Sequence, residues 1–141
     1  MYALVAGGGK AGSNVARSLI GMGHEVTVIE QRPYRFAQLE TEFEHQVQQG
    51  DATELYVLER AGIDEADAVV VATNGDNTNI VIGQVAQKRF DIRCVVVRVL
   101  DPARADFYRE LGLRTVCPTK TAIEVLTEAV RACEVVPAPA S

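Results

Sequence analysis

The residues best suited to bind a phosphate group stand together near the N-terminus. Gly7, Gly9 and Gly12 have the spacing G-x-G-x-x-G, with Lys10 and Ala11 inside the loop. The first glycine permits a tight turn, the second lets a phosphate approach the backbone, and the third lets a helix pack closely on the preceding strand. The helix that follows would offer free amide groups and a partial positive charge. The pattern predicts a nucleotide phosphate site; the alternative is a glycine-rich turn without a ligand.

An acidic residue, Glu30, ends the apolar run EVTVIE about 20 residues beyond this loop. A carboxylate there can accept both ribose hydroxyls of an adenosine and would repel the 2′-phosphate of NADP. Gln31 and Arg32 follow it, and the arginine weakens that exclusion because it could accommodate the phosphate. The alternative for Glu30 is a solvated carboxylate at a strand end. Lys10 is either a ligand for a β- or γ-phosphate or a solvated lysine.

Two polar loops follow later apolar runs and are further candidates for contact with a nucleotide. Asp51 and Ala52, within GDAT, could border the adenine, although Asp and Thr also favour a capping turn. The second loop lies where the middle of the ligand would pass, and it also suits a turn with a helix cap. Its candidate residues are Thr73, Asn74, Asp76 and Asn77.

Arg98 is a charged residue in a run that is otherwise apolar from Cys94 to Leu100. Because a buried charge is costly unless it is paired, we expect Arg98 to meet Asp101, Glu30 or a phosphate.

Residues typical of catalysis are scarce in this sequence. The two histidines, His24 and His45, do not follow predicted strands, where a general acid or base would lie. The sequence contains no zinc-protease, nucleophile-elbow or P-loop motif. We therefore predict a protein that is not an enzyme. The alternative is an NAD-dependent oxidoreductase, or a fragment of one, which would need a catalytic His, Lys or Tyr facing the nicotinamide.

The elements that must position these residues alternate between short β-branched runs and amphipathic stretches. We predict six strands, at 2–6, 25–30, 46–49, 68–73, 92–99 and 113–117, each followed by a helix. This alternation predicts a parallel sheet with helices on both faces. The expected fold is α/β, a Rossmann-like doubly wound six-stranded parallel sheet in three α/β/α layers. We expect one domain over residues 1–134 and a disordered tail over 135–141.

Composition and charge exclude several classes of function. The net charge of −5 argues against binding to nucleic acid, which requires a basic surface. No segment approaches the ~20 apolar residues of a membrane span, and residues 1–6 carry no basic leader. The three cysteines, Cys94, Cys117 and Cys133, are far apart, which indicates reduced thiols. We expect a cytoplasmic protein that does not insert into the membrane.

A series of motifs in a fixed order adds to this interpretation. The glycine loop is followed by V-x-V-I-E, G-D-A-T, A-D-A-V-V-V-A-T-N-G-D-x-x-N, and then by V-R-V-x-D-P with E-L-G-L-R-T-V-C-P. Together they resemble the N-terminal domain of the RCK/KTN family, the regulators of potassium conductance that include the Trk and Ktr uptake subunits. The resemblance extends from Met1 to about Ala132.

The resemblance implies a homo-oligomer, a dimer or a larger ring, that binds ATP, ADP, NAD or NADH. The nucleotide would gate a membrane potassium transporter or channel, which places the protein at the inner face of the membrane through its partner. The residues that match the family's binding positions are Gly7, Gly9, Gly12, Glu30, Asp51, Asn74, Asp76, Asn77 and Arg98.

Two features depart from the family pattern. Lys10 stands where the family often has an arginine that touches phosphate, and lysine lacks bidentate geometry. Many relatives also continue into a smaller C-terminal ligand-binding domain.

The last predicted helix carries an apolar stripe of Ile123, Leu126, Val130 and Cys133. In the family the matching helix crosses to a neighbouring subunit; the alternative is packing on its own sheet.

Overall fold

Strands and helices alternate along the chain, as the hydrophobic pattern predicts. The computed structural model describes residues 1–135. The strands are β1 Tyr2–Ala6, β2 Glu25–Glu30, β3 Val47–Gln49, β4 Ala68–Val71, β5 Cys94–Arg98 and β6 Arg114–Val116. The helices are α1 Lys10–Gly21, α2 Pro33–Phe43, α3 Leu55–Arg60, α4 Asp76–Gln84, α5 Pro102–Glu110 and α6 Pro118–Val135. A π-helical segment, Val85–Arg89, continues α4.

The six strands form one parallel sheet in the order β3-β2-β1-β4-β5-β6. The chain begins at the centre of the sheet, adds strands on one side, and then crosses to the other side. The direction of winding therefore reverses between β1 and β4. In sheets of this kind ligands bind in the crevice at the carboxyl ends of the strands beside that reversal. The predicted six-stranded, doubly wound fold is confirmed.

Two hydrophobic cores lie on opposite faces of the sheet. Consecutive residues of a strand contribute to different cores, because their side chains point alternately to the two faces of the sheet. Val5 and Val28 belong to the core that includes residues of α1 and α2. Leu4 and Ile29 belong to the core that includes residues of α3, α4 and α5. Helices therefore cover both faces, which confirms the three layers.

Helix α6 extends into solvent. Every residue from Thr121 to Glu134 is exposed, and Leu126, in the predicted stripe, is 66% exposed. Packing of this stripe on its own sheet is therefore wrong. The predicted tail begins inside this helix, since Val135 is its last residue; the rest of that predicted tail, residues 136–141, lies outside the described residues.

Within residues 1–135, no helix has both the length and the apolar character needed to cross a membrane.

Candidate functional site

A cavity of about 240 Å³ opens at the carboxyl ends of the first four strands. It lies at the reversal of winding between β1 and β4 and brings together loops that are far apart in the sequence. The predicted site residues that line it are Gly7, Gly9, Glu30, Gln31, Arg32, Asp51, Ala52, Thr73 and Asn74. The remaining lining residues, which sequence reasoning did not select, are Ile29, Gly50, Ala72, Thr78 and Ile82.

The glycine loop forms the floor of the cavity between β1 and α1. Gly7 has φ +103°, and a Cβ there would lie 2.8 Å from the backbone of Ala72 and Thr73. A Cβ at Gly12 would lie only 1.8 Å from the Gly7 carbonyl oxygen. Gly9, by contrast, faces the cavity, and the atom nearest to a Cβ there would be Arg32 Nη2 at 3.8 Å. The first and third glycines thus serve the turn and the helix packing, and the second leaves the backbone open.

Glu30 is buried beside this loop, with 4% of its surface exposed. Its Oε1 accepts hydrogen bonds from the Gly8 amide (3.2 Å) and Arg32 Nη2 (3.1 Å). Its Oε2 accepts from the Arg32 amide (2.7 Å) and Arg32 Nε (3.2 Å). The alternative of a solvated strand-end carboxylate is therefore wrong.

The charge of Glu30 is fixed by competing effects. Burial raises the pKa of its carboxyl group, but the hydrogen bonds and charge of Arg32, with the Gly8 amide, lower the pKa more. The net pKa lies below the ordinary glutamate value, so the group is an anionic acceptor at neutral pH. It points toward the loop that would hold a phosphate.

Arg35, on the first turn of α2, fastens that helix to the glycine loop. Its Nε donates to the Gly8 carbonyl oxygen at 2.7 Å, and its Nη2 donates to Ser13 Oγ at 3.3 Å. Sequence reasoning missed this residue. The available signal was its spacing of three from Arg32, which puts both arginines near one face of the helix start.

Asp51 forms a turn and also borders the cavity. Its Oδ1 accepts from the Thr53 amide (2.9 Å) and the Thr53 hydroxyl (2.7 Å). The turn is confirmed, but the expected cap is wrong, because α3 begins after Glu54 and has no side-chain capping bond. Asp51 with the buried Ala52 forms the cavity wall after β3.

The loop after β4 is held by Asn79, which is 1% exposed. Its Oδ1 accepts from the amide and hydroxyl of Thr73, and its Nδ2 donates to the Thr73 carbonyl (3.1 Å) and the Arg98 carbonyl (2.9 Å). These bonds end β4 at Val71, two residues before its predicted end, and fix the position of Thr73 in the cavity wall.

Arg98 bonds to backbone rather than to an acidic side chain. Its Nη2 donates to the carbonyl oxygens of Ala72 (3.1 Å) and Thr73 (2.5 Å). The predicted pairing with Asp101 or Glu30 is wrong, because Asp101 caps α5 through the Arg104 amide and Glu30 is occupied by Arg32.

The other predicted site residues do not line the cavity. Lys10 is exposed at the first position of α1, with Ala11 and Gly12 behind it in the same helix. Asp76 accepts from the amides of Leu100 (2.7 Å) and Asp101 (3.1 Å), and Asn77 accepts from Arg104. Asp76 thus holds the loop between β5 and α5, whereas Asn77 makes an exposed contact with α5 itself.

The strand order and the glycine loop define the chain as a Rossmann-type α/β domain. The TrkA-N domain model matches residues 3–119, and the chain belongs to that family, which confirms the resemblance stated from the motifs. The Trk system potassium uptake protein TrkA of Streptomyces coelicolor is 36% identical over 120 residues, covering 85% of this chain and 54% of the relative. The chain spans about half the length of the curated relatives it matches.

Solved structures agree with this assignment. The GsuK RCK domain superposes with a TM-score of 0.77 at 25% identity, covering 95% of this chain and 29% of that one. A structure of GsuK bound to ADP gives 0.74 at 26% identity, covering 89% and 32%. The Shewanella denitrificans Kef C-terminal domain in its AMP-bound form gives 0.77 at 25% identity, covering 94% and 82%.

Proposed function

We propose that the chain is a regulatory domain that binds an adenine nucleotide in this cavity and thereby controls a potassium-transport membrane protein. The phosphates would lie on the loop at Gly7 and Gly9, at the start of α1, and the ribose on Glu30. The adenine would extend toward Asp51 and Ala52. The observation that carries the proposal is the buried, anionic Glu30 carboxylate facing an open glycine loop.

ATP, ADP, NAD and NADH are the candidate ligands. The AMP-bound and ADP-bound neighbours support an adenine nucleotide in this fold. Thr73 and Asn74 line the part of the cavity beyond the phosphate loop, where the second half of a dinucleotide would pass.

The proposed partners are a second copy of this chain and a membrane subunit for potassium. The Trk name of the relatives supports the membrane partner. Exposed apolar residues on α6 support self-association, as do Phe107 and Leu111 at the end of α5 and Val116 on the edge strand β6. Such a protein would work at the cytosolic face of the membrane.

We also propose that the domain does not catalyse a reaction. Among the described residues that line the cavity there is no His, Lys, Tyr or Cys, so a hydride transfer would lack a proton donor. Turnover of NADH with a carbonyl substrate would favour the oxidoreductase alternative.

The decisive experiment is isothermal titration with ATP, ADP, AMP, NAD, NADH and NADPH. We expect micromolar binding of at least one of them, weakened several-fold or more in Gly9→Val, because a side chain there has room in the fold but would occupy the face on which the phosphates would lie. Gly21→Val, at the far end of α1 with open space around it, is the matched control. If no nucleotide binds, or if Gly9→Val binds as tightly as the wild type, the proposal is wrong.

A further inference from the structure

The Glu30 carboxylate has no free acceptor position in this structure. An ionised carboxylate offers about four lone-pair positions. Four donors fill them: the backbone amides of Gly8 and Arg32, and the Nε and Nη2 groups of the Arg32 side chain. The two amides are fixed by the main chain. The guanidinium belongs to a side chain that is 56% exposed, and it is therefore the donor pair that can leave.

The guanidinium also lies inside the proposed ligand cavity. Arg32 lines that cavity, and its Nη2 lies 3.8 Å from where a Cβ at Gly9 would stand. The group thus extends from the Glu30 carboxylate toward the phosphate loop. A ribose diol would donate two hydrogen bonds to the same carboxylate. With both amides in place, the diol and the guanidinium cannot both bind.

We propose that Arg32 is an internal competitor of the ribose and a determinant of nucleotide affinity. In the free protein its guanidinium occupies the acceptor positions on Glu30 that the diol would use. When a nucleotide binds, the diol replaces the guanidinium at those positions. This inference rests on the proposed function, since it requires an adenine nucleotide in this cavity. The exchange makes the diol contribute little net affinity, because two charge-assisted bonds are lost as two are gained.

The test compares ADP with 2′,3′-dideoxy-ADP by isothermal titration. Replacing Arg32 also removes a positive charge near the phosphates. Because both ligands carry the same phosphates, this effect cancels in the ratio of their dissociation constants. In the wild type we expect a ratio within a few-fold of unity. In Arg32→Ala the ratio should rise by about tenfold or more in favour of ADP, because the diol then meets an unoccupied anionic acceptor.

Further variants separate the possible outcomes. Arg32→Lys keeps the charge but loses the bidentate geometry. Its ratio of dissociation constants should lie between those of the wild type and Arg32→Ala. Arg104→Ala, outside the cavity, should keep the wild-type ratio.

Binding of ADP with the same ratio in the wild type and in Arg32→Ala would overturn this inference and leave the proposed function standing. Absence of ADP binding in both, with other adenine nucleotides also failing, would overturn both proposals.

Discussion

Burial and hydrogen bonding act in opposite directions on the Glu30 carboxyl group, and the bonds from Arg32 and Gly8 prevail. Because the pKa is lower in the folded state than in the unfolded state, the group stabilises the fold above its unfolded pKa, about 4.3. That contribution is lost as the pH falls through the folded pKa. The unfolding free energy of the wild type should therefore fall more steeply below about pH 5 than that of Glu30→Gln.

Urea titrations of both proteins at several pH values would measure this difference. Glu42 also has a lowered pKa, caused by Arg17, but it is present in both proteins and cancels. Parallel pH profiles would show that the Glu30 bonds are not maintained in solution.

Asn79 is a second residue whose effect can be isolated. Asn79→Ala removes the partners of the Thr73 amide and the Arg98 carbonyl, and should lower the unfolding free energy by about 2–3 kcal/mol. Asn77→Ala, an exposed change two residues away, should cost less than about 0.5 kcal/mol. Chemical denaturation measures both, and equal small effects would mean that Asn79 does not hold the loop.

At the scale of the elements, the packing of α1 on β1 depends on Gly12. In Gly12→Ala the new Cβ would meet the Gly7 carbonyl oxygen at 1.8 Å, which forces the helix away from the strand. We expect this variant to lose several kcal/mol or to fail to fold. Gly21→Ala, in the same helix with open space around it, should stabilise the domain by about 0.5–1 kcal/mol. Thermal melts compare the two; similar melting temperatures would contradict the close packing.

The elements also show what a sequence can predict. Strands β1 and β2 have the bounds that their apolar patterns predict, because local periodicity and burial agree there. Strand β4 is shorter than its apolar run because of Asn79, whose bonds are not periodic. The backbone partners of Arg98 and Arg35 lie 25 to 27 residues away. Contacts between a side chain and a distant backbone leave no pattern in the sequence. The glycine loop, Glu30 and Arg32 could therefore be predicted, whereas Arg35 and the backbone partners of Arg98 could not.

For the whole molecule, the exposed apolar stripe of α6 predicts self-association. We expect the wild type to sediment as a dimer or a larger species at micromolar concentration, and Leu126→Asp to shift it toward monomer, since a charge would be buried in the interface. Ala132→Asp places the same charge on the opposite side of the helix and should leave the assembly unchanged. A monomeric wild type would refute the prediction.

The central position of β1 has a consequence for synthesis of the chain. Of the six strands β1 leaves the ribosome first, yet one of its two neighbours, β4, is the fourth to appear. At about 5–20 residues per second, several seconds separate them. During that time one edge of β1 stays unpaired, and Ala3 to Ala6, all buried in the finished sheet, can pair with other chains. The placement that brings the glycine loop to the middle of the sheet thus makes β1 a segment that needs protection during translation.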